Sequence, residues 1–140
     1  MCHRALQLGG INWDKILCLR GNETNISGHR RAELAINRIR KNRKREHLLL
    51  TLNVIFADEL GQLSAEEIGL YDIILRNVRK STVFMGGILL IGTLDHLQIQ
   101  PINGRPFLTA SGIIPCFKMV ALRHSVRATG SEYVELQSLV

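Results

Sequence analysis

The sequence predicts an α/β fold with a mainly parallel sheet flanked by helices. Two apolar runs, residues 53–57 and 86–92, have the composition of strands that are covered on both faces. A helix pattern lies between them, and a strand, a helix and a second strand in this order favour a right-handed parallel crossover. The 140 residues, 46% of them hydrophobic, are enough for one domain with its own core.

The first part of the chain predicts one long helix. Residues 1–10 resemble the end of a helix that is closed by the pair Gly9-Gly10, and a short apolar stretch and a polar loop follow over residues 11–28. From residue 29 to about residue 50, apolar residues repeat at the i, i+3, i+4, i+7 spacing of one helix face. The residues of this face are Ala32, Ala35, Ile36 and Ile39.

A cluster of positive charge lies in the later part of that helix. Six of eight consecutive residues are cationic, namely Arg38, Arg40, Lys41, Arg43, Lys44 and Arg45, and the whole chain has a formal net charge of +6. Such a density suits contact with a phosphate backbone or a nuclear-import signal. A solvated helix end, with cations that favour the helix dipole, explains it equally well.

Cysteine and hydropathy patterns exclude several classes. The three cysteines match no disulfide framework or paired zinc motif, and a zinc site built from Cys2, His3, Cys18 and His29 fits no finger spacing. The plain interpretation is a reduced, intracellular protein. No run approaches 18 apolar residues, so no membrane span is predicted.

The second helix has the clearest local signals. Ser64 with Glu67 three residues later forms a capping-box pattern. The predicted buried face comprises Ile68, Tyr71, Leu75 and Val78.

Two carboxylates, Asp58 and Glu59, come directly after the first predicted strand. The carboxyl end of a strand is where open α/β sheets bind ligands. At such a position one carboxylate can hold hydrated Mg²⁺ beside nucleotide phosphates, and the other can orient or deprotonate an attacking water. An apolar run followed by Asp-Glu is common, however, and a solvated strand end or a helix-capping acid is the alternative.

The order of motifs around this pair resembles one family. The string VIFADELGQLS is similar to motif II of the RecD-like superfamily 1 DNA helicases, and within them to the Pif-type (petite integration frequency) helicases, especially the transposon-associated eukaryotic forms. Gly9-Gly10 is a weaker match to the motif Ia region, because the Thr and His that usually follow are replaced. The resemblance implies a partial P-loop NTPase (RecA-like) domain over residues 1–140.

Two later stretches extend the resemblance. Motif III is matched by LDHLQIQPI, which departs from the family at Leu94 and Gln100; the matching positions are Asp95, Gln98, Pro101 and Ile102. Motif IV, an apolar strand ending shortly before an arginine, is matched by CFKMVALRHSVRA, with Arg127 as that arginine.

The resemblance implies a role for each matched side chain. Asp58 would hold Mg²⁺ through water, and Glu59 would act as base or orienter of the hydrolytic water. Gln98 would sense the γ-phosphate of ATP, Arg127 would stabilise its developing charge, and Asp95 would support the link between nucleotide and DNA. Taken singly, Asp95 and Gln98 could be loop-capping residues and Arg127 a surface cation. Implied partners are ATP and single-stranded or forked DNA, with no membrane, and the implied location is the nucleus or, alternatively, the mitochondrion.

One required motif is missing from the sequence. A motor of this type needs the loop G-x-x-x-x-G-K-[ST], and the nearest string, GGILLIGT, lacks the lysine and is predicted to be a strand. We therefore expect a fragment of the first motor domain, with the phosphate loop upstream and the second motor lobe downstream, that is inactive alone and exposes an apolar sheet edge. The alternatives are a non-catalytic basic DNA-binding module and a structural remnant without activity.

Overall fold

The computed structural model describes residues 10–94, 101 and 103–122. The elements in this part of the chain are α1 (Trp13–Ile16), α2 (Gly28–Lys41), α3 (Arg43–Thr51), β1 (Val54–Ala57), α4 (Ala65–Arg79) and β2 (Leu89–Gly92). Short 3₁₀ turns connect several of them. The predicted helix end in residues 1–9 lies outside the described residues.

The single helix predicted over residues 29–50 is two helices, and Asn42 divides them. The Asn42 backbone N–H donates to the Ile39 carbonyl at 2.9 Å and ends α2. Its side-chain oxygen accepts from the Arg45 backbone N–H at 3.1 Å and begins α3. Asparagine favours such capping roles over helix interiors because its short amide competes for backbone groups. The apolar face predicted for the first helix is confirmed, since all four of its residues are buried.

Helix α4 follows its sequence signals closely. The capping box is present: the Glu67 N–H donates to Ser64 Oγ at 3.1 Å, and the Ser64 N–H donates to Glu67 Oε2 at 2.9 Å. The predicted buried face is confirmed by all four of its residues. The helix ends at Lys80, which takes the left-handed conformation with φ of 51°.

Strands β1 and β2 pair in parallel, as the crossover pattern predicts. The register joins Val54 to Leu89 and Phe56 to Ile91. The second strand is shorter than predicted because Gly86 and Gly87 have φ of 64° and 81° and belong to the preceding turn.

The prediction that both strand faces are covered is wrong for the described residues. Ile55 and Leu90 pack against the core on one face. On the opposite face side chains are exposed, with Phe56 at 78% and Leu89 at 58%. An unbroken apolar run shows that both faces are suited to burial, but the described helices cover only one of them.

The core lies between the sheet and the helix layer. Helix α2 packs on α4 through its buried face, and α3 packs on both helices.

The short helix α1 contacts α4 through the Trp13 ring, which stacks on the Tyr71 ring at a centroid distance of 5.1 Å. The buried Tyr71 hydroxyl donates to Asp14 at 3.4 Å, and burial, with the Asp14 carboxylate nearby, raises the pKa of Tyr71. The phenol therefore remains a donor throughout the accessible pH range.

Arg79, in the last turn of α4, connects that helix to three other chain segments. Its Nε donates to the Gly86 carbonyl at 2.7 Å. Its Nη1 donates to the carbonyls of Leu49, Leu50 and Leu52 at 2.6, 2.9 and 3.0 Å. These carbonyls belong to the end of α3, the entry to β1 and the entry to β2, so one guanidinium fixes where both strands begin.

We expect Gly86→Ala to destabilise the chain by about 2 kcal/mol more than Gly87→Ala. Both glycines have positive φ, so both substitutions carry backbone strain. A Cβ at Gly86 would lie 2.8 Å from the Leu75 carbonyl oxygen and 2.8 Å from Arg79 Cδ, whereas one at Gly87 meets nothing within 4 Å. The difference between the free energies of unfolding of the two variants in urea measures the steric cost of the added Cβ. Equal losses of stability would contradict the packing argument.

The apolar strand predicted within residues 116–122 is absent from the described part of this segment. A 3₁₀ turn ends at Cys116, and residues 117–122 have no regular secondary structure. Phe117 packs edge-on against Phe84 and Phe107, but Val120 and Leu122 are exposed. Without a neighbouring strand to pair with, an apolar sequence alone does not produce a strand.

Candidate functional site at the carboxyl end of the sheet

The acidic pair lies where the sequence predicts it, at the carboxyl end of β1. The strand ends at Ala57, and Asp58 and Glu59 follow directly. The Asp58 side chain is exposed and Glu59 is partly buried. Glu59 has φ of 54°, a left-handed conformation that is uncommon for a non-glycine residue and turns the chain sharply away from the strand.

Thr93 holds this turn, and sequence reasoning missed it. Its hydroxyl donates to Asp58 Oδ1 at 2.8 Å and accepts from the Glu59 backbone N–H at 3.0 Å. Its backbone joins in as well: the Thr93 N–H donates to the Ala57 carbonyl at 3.0 Å, and its carbonyl accepts from Leu60 at 2.7 Å. The only signal available was its place directly after β2, because parallel strands end at the same edge.

The Glu59 carboxylate has a neighbour of its own. It accepts a hydrogen bond from the Gln62 side-chain amide, which lies in the 3₁₀ turn Leu60–Gln62. The hydroxyl of Thr93 and the amide of Gln62 therefore fix two adjacent carboxylates without a cation. Asp58 keeps its other carboxylate oxygen and its exposure to solvent, so it remains available as a ligand.

The donor set suits a hydrated magnesium ion. Mg²⁺ prefers oxygen ligands and commonly binds through one or two carboxylates while keeping several waters. Within the described residues, no group of three or more His, Cys, Asp or Glu side chains could hold a metal ion. A cation at this site would therefore depend on water or phosphate oxygens for most of its coordination.

Several predicted site residues lie outside the described residues. They are Asp95, Gln98 and Arg127, together with Cys2 and His3 of the zinc alternative. Their roles stay predictions. Asp58 and Glu59 are the members of the predicted catalytic set that the structure places.

The basic cluster is divided by the fold. Arg38 points inward and pairs with Glu23, and it also donates to the Cys18 carbonyl at 3.0 Å. This pairing lowers the pKa of Glu23 and raises the pKa of Arg38. Arg45 donates to the Lys15 carbonyl. The remaining cations are exposed, namely Arg40, Lys41, Arg43 and Lys44.

The segment that begins at residue 103 is held beside the amino terminus of α4. Arg105 donates from its backbone N–H and from Nε to the Glu66 carboxylate, at 2.9 and 2.8 Å. The Ala65 N–H donates to the Arg105 carbonyl at 2.9 Å. Gly104 allows this approach, because a Cβ there would lie 2.7 Å from Ser64 Cβ.

We expect the hydrogen bonds between Arg105 and Glu66 to persist at pH values well below the usual pKa of a carboxyl group. The hydrogen bonds from the Arg105 side chain and backbone lower the pKa of Glu66 to about 2. The contribution of these hydrogen bonds to stability is therefore complete above pH 4.5, the ordinary pKa of a glutamate side chain. It is lost as the pH falls towards 2. The Arg105 amide resonance, followed by NMR against pH, should titrate near the lower value, and Arg105→Ala should return the Glu66 midpoint towards 4.5. A midpoint near 4.5 in the unaltered chain would contradict the contact.

We expect Thr93→Val to loosen the acidic turn while Thr93→Ser preserves it. Valine has nearly the shape of threonine but removes a hydroxyl that makes two hydrogen bonds, at a cost of about 1 to 3 kcal/mol. Hydrogen exchange at the Glu59 amide should accelerate in the valine variant and stay close to the unaltered rate in the serine variant. If both variants exchange alike, the hydroxyl does not hold the turn.

Comparison with known proteins identifies the fold. A parallel β-α-β unit with carboxylates at the strand end is typical of α/β domains that bind ligands at the carboxyl edge of the sheet. Solved structures similar to this chain include two of Pif1 helicases. No protein-family model matches the sequence, and no curated protein matches it significantly.

Each of these two structures matches most of this chain. The crystal structure of the Pif1 helicase from Candida albicans matches 82% of it with a TM-score of 0.68 and 20% identity. A structure of two coordinating Pif1 helicases, concerned with DNA unwinding at forked double-stranded DNA, matches 96% with a TM-score of 0.72 and 18% identity. The chain spans 26% and 34% of the lengths of these proteins. At such identities the likeness shows the fold, which is that of part of a Pif1-like helicase.

Proposed function

We propose that this chain is part of the first motor domain of an ATP-dependent DNA helicase of the Pif type. The observation that carries the proposal is the acidic pair at the carboxyl end of β1, oriented by Thr93, which directly follows the neighbouring parallel strand. The similarity of the fold to Pif1 helicases supports it. The family roles of Asp95, Gln98 and Arg127 belong to the same proposal, as do the RecD-like and transposon-associated relationship and a nuclear location.

The described residues supply one part of the chemistry. Asp58 would hold Mg²⁺ through water, and Glu59 would orient or deprotonate the attacking water. Bound Mg²⁺ neutralises charge on nucleotide phosphates. Glu59 is suited to its role because the left-handed turn and the Gln62 amide fix its carboxylate next to Asp58.

The polypeptide by itself is expected to lack useful activity. Its sequence contains no G-x-x-x-x-G-K-[ST] loop, and the string nearest to it contains strand β2, whose residues pair with β1. Most contacts to a nucleotide's phosphates would have to come from elsewhere in a parent protein. ATP turnover by the purified chain that Glu59→Gln abolishes would refute this expectation.

The test of the proposed site is metal binding. Mn²⁺, a paramagnetic substitute for Mg²⁺, should broaden the amide resonances of Asp58, Glu59 and Thr93 first. Asp58→Asn should remove this broadening, while Glu33→Gln, which alters an exposed carboxylate paired with Arg30, should leave it unchanged. Broadening that is spread over all carboxylates, or that survives in Asp58→Asn, would contradict a magnesium site at this edge.

A second candidate function rests on the exposed cations. Arg40, Lys41, Arg43 and Lys44 could bind a nucleic acid backbone without any catalysis. This second function predicts that nucleic acid binding weakens as the salt concentration rises and does not depend on ATP or Mg²⁺. Titration of a labelled DNA oligonucleotide with and without Mg²⁺-ATP separates the two candidates.

A further inference from the structure

A basic depression lies at the end of α4 that is opposite to the acidic pair. Its volume is about 590 Å³, and it opens between α2 and the carboxyl end of α4. Arg40 approaches it from α2, and Arg76 and Lys80 approach it from α4 and its cap. These residues are far apart in sequence, so the packing of the two helices creates the site.

The charges lining the depression are one-sided. Its lining includes three cations and no carboxylate. Arg76 is partly neutralised by Asp72, whose carboxylate lies 3.2 Å from it. Arg40 and Lys80 are exposed and form no ion pair among the described residues. Two positive charges therefore face the same open space without compensation.

Neutral donors complete the lining. They are the hydroxyls of Ser81 and Thr82 and the Asn77 amide, which donates one of its two hydrogens to the Ile73 carbonyl at 3.0 Å and keeps the other. The Ser81 hydroxyl oxygen accepts from the Val83 N–H at 3.2 Å, which leaves its own hydrogen free to donate outward. The carbonyls of Arg76 and Asn77, which would repel an anion at a helix carboxyl end, accept from the Lys80 N–H.

We propose that this depression binds phosphate groups, chiefly those of a nucleic acid backbone. Cations with hydroxyl and amide donors are the groups that proteins use to contact phosphate oxygens. No aromatic ring lines the depression to stack a base, so recognition would be independent of sequence. Helix α4 has 15 residues and is roughly 22 Å long, which separates this site from the acidic pair. The inference goes beyond the proposed function, since the site needs neither nucleotide nor magnesium and, apart from Arg40, uses none of the exposed cations of the second candidate.

The test removes the two uncompensated charges together. Arg40→Gln with Lys80→Asn is suitable, because asparagine tolerates the left-handed conformation of Lys80. Lys15→Gln with Lys118→Gln is the matched control, since it removes the same charge from exposed positions outside both the lining and the basic cluster of residues 38–45. Fluorescence anisotropy of a labelled oligothymidine, measured at several salt concentrations, reports binding. Amide NMR spectra confirm that each variant is folded.

We expect the first pair to weaken oligothymidine binding by about tenfold and to reduce the slope of log K against log salt by about 1.4, which corresponds to two phosphate contacts. The control pair should change both quantities less. Inorganic phosphate alone should shift the amide resonances of Lys80, Ser81 and Thr82. If it shifts them while oligothymidine binding is the same in all variants, the phosphate source is a small anion. Equal losses in both pairs, or no shift with phosphate, would overturn the proposal.

Discussion

Replacing Arg79 by alanine should destabilise this chain by roughly 4 kcal/mol, because one side chain satisfies four backbone carbonyls. The carbonyls of Leu49 and Leu50 are among the last of α3, which have no partner within the helix. The guanidinium also places a positive charge at the negative end of that helix dipole. Its loss would free the end of α3 and the entries to both strands at once.

Two variants make the Arg79 measurement specific. Arg79→Lys keeps the charge but loses the planar fork, so an intermediate loss of stability is expected. Arg76→Ala removes an arginine one turn earlier on the same helix, where the side chain is 42% exposed, and should cost about 0.5 kcal/mol. The free energy of unfolding in urea gives all three values. A loss for Arg79→Ala no larger than that for Arg76→Ala would mean that water replaces the carbonyl contacts.

Local signals predicted the elements whose determinants are close together in sequence. The capping box of Ser64 and Glu67 and the buried faces of α2 and α4 depend on spacing within one helix, and the structure has them as predicted. The parallel pairing of β1 and β2 followed from the order of strand, helix and strand. The division of the basic helix at Asn42 was also readable in principle, because one asparagine can cap both helices.

Contacts between distant segments could not be predicted in this way. Arg79 lies 27 to 30 residues from the carbonyls that it binds at the end of α3 and just after it. Nothing in the sequence around Arg79 distinguishes it from Arg76. Thr93 reaches Asp58 only because two strands end side by side. Similarly, Arg38 was grouped with the other cations, yet its partner Glu23 comes from an earlier turn. Each of these side chains acquires its role through packing.

Self-association is the second large expected effect, and it arises from the sheet face that the described helices leave exposed. Four apolar side chains lie on this face in two register pairs, Val54 with Leu89 and Phe56 with Ile91, and each is at least 37% exposed. Complete burial of a large apolar side chain contributes about 1.5 to 3 kcal/mol. Exposed faces of this kind commonly serve as association sites. The chain alone is therefore expected to form dimers or larger assemblies at about 50 µM.

Phe56→Thr with Ile91→Thr should shift the chain towards monomer, with at least a tenfold weaker association. Threonine keeps a high strand propensity while removing apolar surface, so the parallel pairing is retained. Leu122→Thr is the matched control, since this leucine is 92% exposed in a segment without secondary structure. Sedimentation velocity across a concentration series measures the effect. A monomeric unaltered chain at the highest concentration, or an equal shift in Leu122→Thr, would show that the sheet face does not drive association. The expected result would instead identify the exposed sheet face as the surface through which the chains associate.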